Sequence, residues 1–223
     1  MIGVKSPTFV QPTGIEYQTF QEVDDGDVRK LRDSLGIGNE TVFVSVSRLS
    51  NEKNIDFMID AIEELRRRTD RPFRFLMIGE GHQHERLQQR IDELGLQDCF
   101  TLVGSIPPDD MATWYHLGDA FLFASKSETQ GMVILEAMAA GLPVVAVRSS
   151  GIEDVVRHGY NGFKTPEKQD QWCDHVQQLL EDDTLRQELA EHALAFAADY
   201  SVEQFARDMR EIYALTLARS ASR

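Results

Sequence analysis

The chain has 223 residues, 42% of them apolar, and 23 Lys and Arg against 37 Asp and Glu leave a net charge of −14. That apolar content closes a sizeable core in one domain or a little more, and it excludes disorder. The acidic balance argues against nucleic-acid binding and against electrostatic docking on an anionic membrane.

Residues 1–40 read as a linker with Pro7, Pro12 and Gly14, closed by a polar helix over 28–35. A Val- and Phe-rich strand over 41–47 follows. A helix over 54–69 carries the stripe Ile55, Met58, Ile59, Ile62 and Leu65. The strand 73–78 ends at Gly79-Glu80-Gly81. The next helix is polar, with Leu87, Ile91 and Leu94 inward and Gly95 as its stop. Then come a strand over 99–103, a short helix over 111–117, a strand over 120–124, a helix over 131–140 stopped by Gly141, and a strand over 143–147. Beyond Lys168 the chain reads as three amphipathic helices, 169–180, 184–198 and 202–218, with Ser201 and Gln204 as a capping box for the last.

Strands apolar on both faces that alternate with helices predict an α/β, Rossmann-like, doubly wound parallel sheet. The division is a linker with first helix (1–40), a ligand-binding core (41–166) and carboxy-terminal helices packing on it (167–223). Such sheets bind ligands beyond the carboxyl ends of their strands. The loops to search are therefore 48–53, 79–82, 104–109, 125–131 and 148–153.

From Gly131 the helix is apolar or small at every position except Glu136. A helix apolar all round is buried, and a carboxylate within it is costly unless paired or hydrogen-bonded. Glu136 thus meets either a buried cation or ligand hydroxyls. The helix start at Gly131 offers free N–H groups and a positive dipole end, a natural diphosphate site. Glu136 lies about 7.5 Å further along the axis, and Glu128 sits in the loop before it. Two carboxylates flanking an anion site suit a ligand with hydroxyls at both ends of a diphosphate, which is the shape of a nucleoside diphosphate sugar. Arg48 and Lys53 could neutralise the diphosphate without a metal. Loop cations are ordinarily just solvated, but these share a sheet edge with Gly131.

Other features point to no cofactor and no metal. Cys99 and Cys173 are far apart and read as incidental thiols of a reducing compartment. Asp25-Gly26-Asp27 matches a metal-binding D-x-D but precedes a polar helix, so it reads as a cap. His82 and His84 lack a carboxylate at metal-ligand spacing, and His158 reads as a helix end. The stretch 47–54 has no glycine, which sets aside a dinucleotide fingerprint. No apolar run is long enough to span a membrane, and Met1 to Pro7 is unlike a signal peptide, so the expectation is a cytoplasmic protein.

Residues 12–219 resemble the carboxy-terminal, donor-binding half of a GT-B glycosyltransferase of the retaining family 4 (glycosyl transferases group 1). The resemblance rests on Glu-x7-Glu (Glu128 and Glu136, within SETQGMVILEAMAAGLPVVA) and on SRLSNEKN against G-R-L-x-x-E-K-G. In that loop Ser47 and Asn54 replace glycines. It rests also on Ile78-Gly79-Glu80-Gly81 and on Pro12-Thr13-Gly14-Ile15-Glu16 against P-x-G-I-D.

The resemblance implies a catalytic set of Glu128, Arg48 and Lys53. The two cations would hold the diphosphate and Glu128 the transferred sugar. Glu136 would take the ribose, main-chain N–H groups of Gly131, Met132 and Val133 would meet sugar or phosphate, and the loop with Ser105 would meet the base. Gly79, Thr129 and Gln130 complete the implied substrate contacts. Gln130 stands where many members carry Phe, and Thr-Gln-Gly is similar to members that glycosylate lipids. The loop 149–154 departs from G-G-x-P-E, with Asp154 where Glu is usual.

Further implications are a UDP-linked donor, a glycolipid or polysaccharide-precursor acceptor, and an amino-terminal acceptor domain, absent here, that could bring the protein to a membrane. Because the Pro12 motif lies so near residue 1, the chain is expected to be inactive by itself. The competing reading is a nucleotide-sugar-binding or regulatory module without turnover.

Overall fold

The apolar runs become six parallel strands: β1 (Thr41–Val46), β2 (Phe73–Ile78), β3 (Phe100–Gly104), β4 (Ala120–Phe123), β5 (Val144–Val147) and β6 (Gly162–Thr165). They form one sheet in the order β3-β2-β1-β4-β5-β6, with every neighbouring pair parallel. This is a computed structural model, and it describes residues 8–221. The chain winds outward from β1 to β3, then returns to place β4 on the other side of β1. The crevice of a doubly wound sheet lies at that reversal, so the loops leaving β1 and β4 flank it.

The described residues form eight α-helices: α1 (Asp25–Ser34), α2 (Ile55–Arg68), α3 (His84–Glu93), α4 (Met111–His116), α5 (Met132–Ala139), α6 (Gln169–Glu181), α7 (Asp183–Ala198) and α8 (Val202–Ala221). One face of the sheet buries α2, α3 and α6 through Met58, Ile59, Leu65, Ile91 and Trp172. The other buries α4, α5 and α7 through Tyr115, Ile134, Met138 and Phe196. The aspartates of the D-x-D sequence lie in the first turn of α1, whose cap is Asp24, accepting from the Gly26 N–H at 2.6 Å. Ser201 caps α8 through the Gln204 N–H at 3.3 Å.

Two local expectations are corrected. The strand β6 is absent from the sequence reading, because four residues with a lysine among them give no strand pattern. Lys164 is buried there, and its ammonium donates to the Glu153 carbonyl at 2.7 Å and faces the Glu153 carboxylate at 3.1 Å. Gly162 is what lets β6 dock, since a Cβ on it would lie 2.2 Å from the Val144 carbonyl oxygen. His158 is not a helix end. It stands in the turn before β6, where its Nδ1 accepts the Lys164 N–H at 3.1 Å.

The Pro12–Ile15 motif is fastened to the start of α8. The Ile15 N–H donates to Tyr200 O at 2.8 Å and its carbonyl accepts from Val202 at 3.0 Å. Tyr213, Leu215 and Leu217, at the far end of α8, are exposed.

Candidate active site

The loop after β1 is laced to the turn after β2. Ser47 N–H donates to Ile78 O and Leu49 N–H to Glu80 O, both at 3.0 Å. The glycines of Ile78-Gly79-Glu80-Gly81 make this approach possible. A Cβ on Gly79, whose φ is +132°, would lie 2.0 Å from Ser47 O, and one on Gly81 would lie 2.3 Å from Leu49 O. Gly79 also donates its N–H to Gly104 O at 2.8 Å, which ties in the loop carrying Ser105, an exposed residue. Asn54, at a position where the motif has glycine, adopts the left-handed conformation with φ 57°. Asparagine is among the few residues that tolerate it, so the turn into α2 is kept.

The loop after β4 crosses to the same place. Lys126 N–H donates to Glu52 O at 2.9 Å. Beside it Lys53 Nζ meets Glu128 Oε1 at 2.5 Å, with the two side chains only 16% and 13% exposed. The structure thus joins one expected diphosphate-binding cation directly to the expected sugar-binding carboxylate. Arg48 stands apart: it is 80% exposed, and its ion pair is a loose 3.6 Å contact with Glu52. A long side chain so placed can turn onto an anion entering the crevice.

Gly131, with φ 61°, is the N-cap of α5. The N–H groups of a first helical turn lack intrahelical partners, which leaves Met132 and Val133 at the mouth of the crevice. Thr129 and Gln130 are exposed in the loop before them. The loop after β5 closes against the same segment. A Cβ on Gly151 would lie 2.1 Å from Glu128 O and 2.8 Å from Thr129 N. The departure of this loop from G-G-x-P-E therefore retains the glycine that permits contact.

The protein partner of Glu136 is not a cation. Its carboxylate oxygen Oε2 accepts a 2.9 Å hydrogen bond from the hydroxyl of Tyr115, on α4. Burial pushes the Glu136 carboxyl up from its ordinary value, and the Tyr115 hydroxyl partly counters this. Sequence reasoning missed Tyr115, and it marked the loop of Gly151 without finding the contact with Glu128 that this glycine permits. Among the described residues, no group of three or more His, Cys, Asp or Glu could hold a metal ion. Burial pushes the thiols of Cys99 and Cys173 up to about 11.

A parallel sheet wound in this order, with the loops of Lys53 and Glu128 joined at its reversal just before the start of α5, defines one Rossmann-like domain of the GT-B type. The chain belongs to the family described as glycosyl transferases group 1, whose sequence model matches residues 27–196. It is 32% identical over 217 residues to the D-inositol 3-phosphate glycosyltransferase of Corynebacterium urealyticum, covering 94% of this chain and 51% of that protein. It is 36% identical over 146 residues to the alpha-monoglucosyldiacylglycerol synthase of Streptococcus pneumoniae, covering 64% of this chain and 33% of that protein. Anabaena HepE, solved in complex with UDP and glucose, superposes with a TM-score of 0.80 at 28% identity, covering 90% of this chain and 55% of that one. The chain thus spans about half the length of the inositol phosphate enzyme and of HepE.

Proposed function

We propose that this chain is the donor-binding half of a retaining glycosyltransferase that uses a nucleoside diphosphate sugar, UDP-linked, without a metal. The observation that carries the reading is the Lys53–Glu128 pair, which joins the loop after β1, where Arg48 is exposed, to the loop that leads into α5. In this reading the diphosphate lies at the α5 start, the ribose on Glu136, the base along the Ser105 loop, and the hexose toward Glu128, Thr129 and Gln130. Lys53, pinned by Glu128, stands between sugar and diphosphate. When the anomeric C–O bond breaks, its electron pair leaves on the diphosphate, and Lys53 and Arg48 stabilise that charge. The complex of HepE with UDP and glucose supports a UDP-linked donor.

The acceptor would be a glycolipid or a polysaccharide precursor held by a separate amino-terminal domain, a choice supported by the diacylglycerol and inositol phosphate named for two relatives. Among the described residues no helix is long and apolar enough to cross a membrane. We further propose a cytoplasmic enzyme that meets its membrane through the acceptor domain.

Calorimetry tests the donor site. UDP is expected to bind equally well with and without EDTA, and UMP more weakly; complete loss of UDP binding in EDTA would sink the metal-free reading. Glu136→Ala should weaken UDP and UDP-sugar alike by about 1–3 kcal/mol, as for charged hydrogen bonds. Glu128→Ala frees Lys53, so it should spare UDP and blunt discrimination among donor sugars. If Glu128→Ala lowered UDP affinity as much as Glu136→Ala does, the two ends of the donor are assigned wrongly.

A further inference from the structure

Tyr115 is fully buried, although its phenol is polar and the surrounding cluster is apolar. Its ring is fixed edge-on to Phe20, with centroids 5.7 Å apart, and tilted against Phe121 at 5.9 Å. The hydroxyl points at α5. It donates to Glu136 Oε2 at 2.9 Å, while the Val133 carbonyl, at 3.4 Å, is a poorer acceptor. A ring that cannot turn makes this a fixed donor rather than an opportunistic one.

We infer that Tyr115 is a positioning residue for nucleotide recognition: its immobilised hydroxyl holds Glu136 Oε2 and so presents the rest of the carboxylate to the ribose hydroxyls. The inference rests on the reading of Glu136 as the ribose acceptor. A carboxylate that accepts two sugar hydroxyls must be ionised and held in one orientation. Burial works against the first requirement, and a flexible glutamate works against the second. One donor that neither moves nor ionises serves both, and burial keeps the phenol of Tyr115 protonated.

Among the described residues, burial and the Tyr115 hydroxyl are what act on the Glu136 carboxyl. The elements packed most extensively against α5 are α7, β5 and the turn Tyr17–Phe20, and α4 reaches it through Tyr115. In β5 there is no titratable residue, and the turn offers only Tyr17. On α7, Arg186 pairs with Asp183, His192 meets Tyr160 O, and Glu191 faces the Gln187 amide. His116, the other titratable group on α4, is bonded to Phe20 O at 2.6 Å.

The test uses the full chain, with carbon-13 NMR following the glutamate carboxyls and Glu136→Gln identifying the signal. In Tyr115→Phe the Glu136 carboxyl should titrate at higher pH than in the native chain. Replacing Tyr115 by 3-fluorotyrosine, a stronger donor of the same shape, should move it to lower pH, a measurement open even if Tyr115→Phe fails to fold. The loss of UDP affinity in Tyr115→Phe should be at least about threefold larger near pH 5.5 than near pH 8, because binding needs the ionised form. A side chain that only fills space would lower affinity by one factor at every pH. Coincident carboxyl titrations in all three chains would overturn the inference. An unchanged UDP affinity in Glu136→Gln would instead remove the ribose reading, leaving the NMR titrations to decide whether Tyr115 governs Glu136.

Discussion

Given a UDP-sugar and a lipid or saccharide acceptor, the 223-residue chain by itself is expected to bind the donor and to transfer almost nothing. The described residues form one sheet with one crevice, and the groups gathered there all suit the donor. Retention requires an acceptor hydroxyl held against the anomeric carbon on the face from which the diphosphate leaves. Positioning of that kind is worth up to about 7–11 kcal/mol of barrier, and it needs a second surface opposite the loops of Lys53 and Glu128. The exposed end of α8, with Tyr213 and Leu217 one turn apart, offers apolar surface on which such a domain could rest. The assay measures product and donor consumption with the chain alone, and then with the amino-terminal half of a relative such as the inositol phosphate enzyme supplied in trans. Turnover by the chain alone at a rate comparable to a full-length relative would show that this is not half an enzyme. Absence of turnover together with absence of UDP binding would point instead to a module that has lost the donor site.

What the sequence disclosed follows the range of the interactions involved. Strands β1 to β5 and the helices between them are written in local apolar runs, and all of them are legible to within a residue or two. Glu136 is legible for the same reason, since a single carboxylate in an apolar helix has few innocent explanations. The partner of that carboxylate is not. Tyr115 reads as one more aromatic on a short helix, and it finds Glu136 only because α4 and α5 pack on the same face of the sheet. Gly151 looks like an ordinary loop glycine until the loop after β5 is seen lying 2.1 Å, measured from its missing Cβ, from Glu128 O. The glycines of residues 78–81 are recognisable as a motif, but the close approach they permit, to the backbone of the β1 loop, is not. The resemblance located Arg48, Lys53, Glu128 and Glu136 as a set. Only the fold shows that two of them are joined before any ligand arrives.

That joined pair should dominate the stability of the crevice. Lys53→Met is expected to destabilise the chain by about 3 kcal/mol, the low end of what breaking a buried ion pair costs, because Glu128 is left without its cation in a site nearly closed to water. The low end applies because both side chains keep some contact with solvent. The companion variant Lys53→Met/Glu128→Gln removes both charges, and it should recover to within about 1 kcal/mol of the native chain, since a neutral pair incurs no such penalty. Lys53→Arg should not substitute cleanly: a planar fork does not occupy the site of a compact ammonium. Urea unfolding of the four chains measures this directly, with changes in midpoint at constant slope read as stability. Function should separate from stability in the same set. The double variant, stable but lacking the cation, should still bind UDP weakly, because the positive charge facing the diphosphate falls to Arg48 and the α5 start. Equal stability of Lys53→Met and the native chain would mean that Lys53 and Glu128 do not depend on each other for burial, and that their contact is not what sets the donor loop in place.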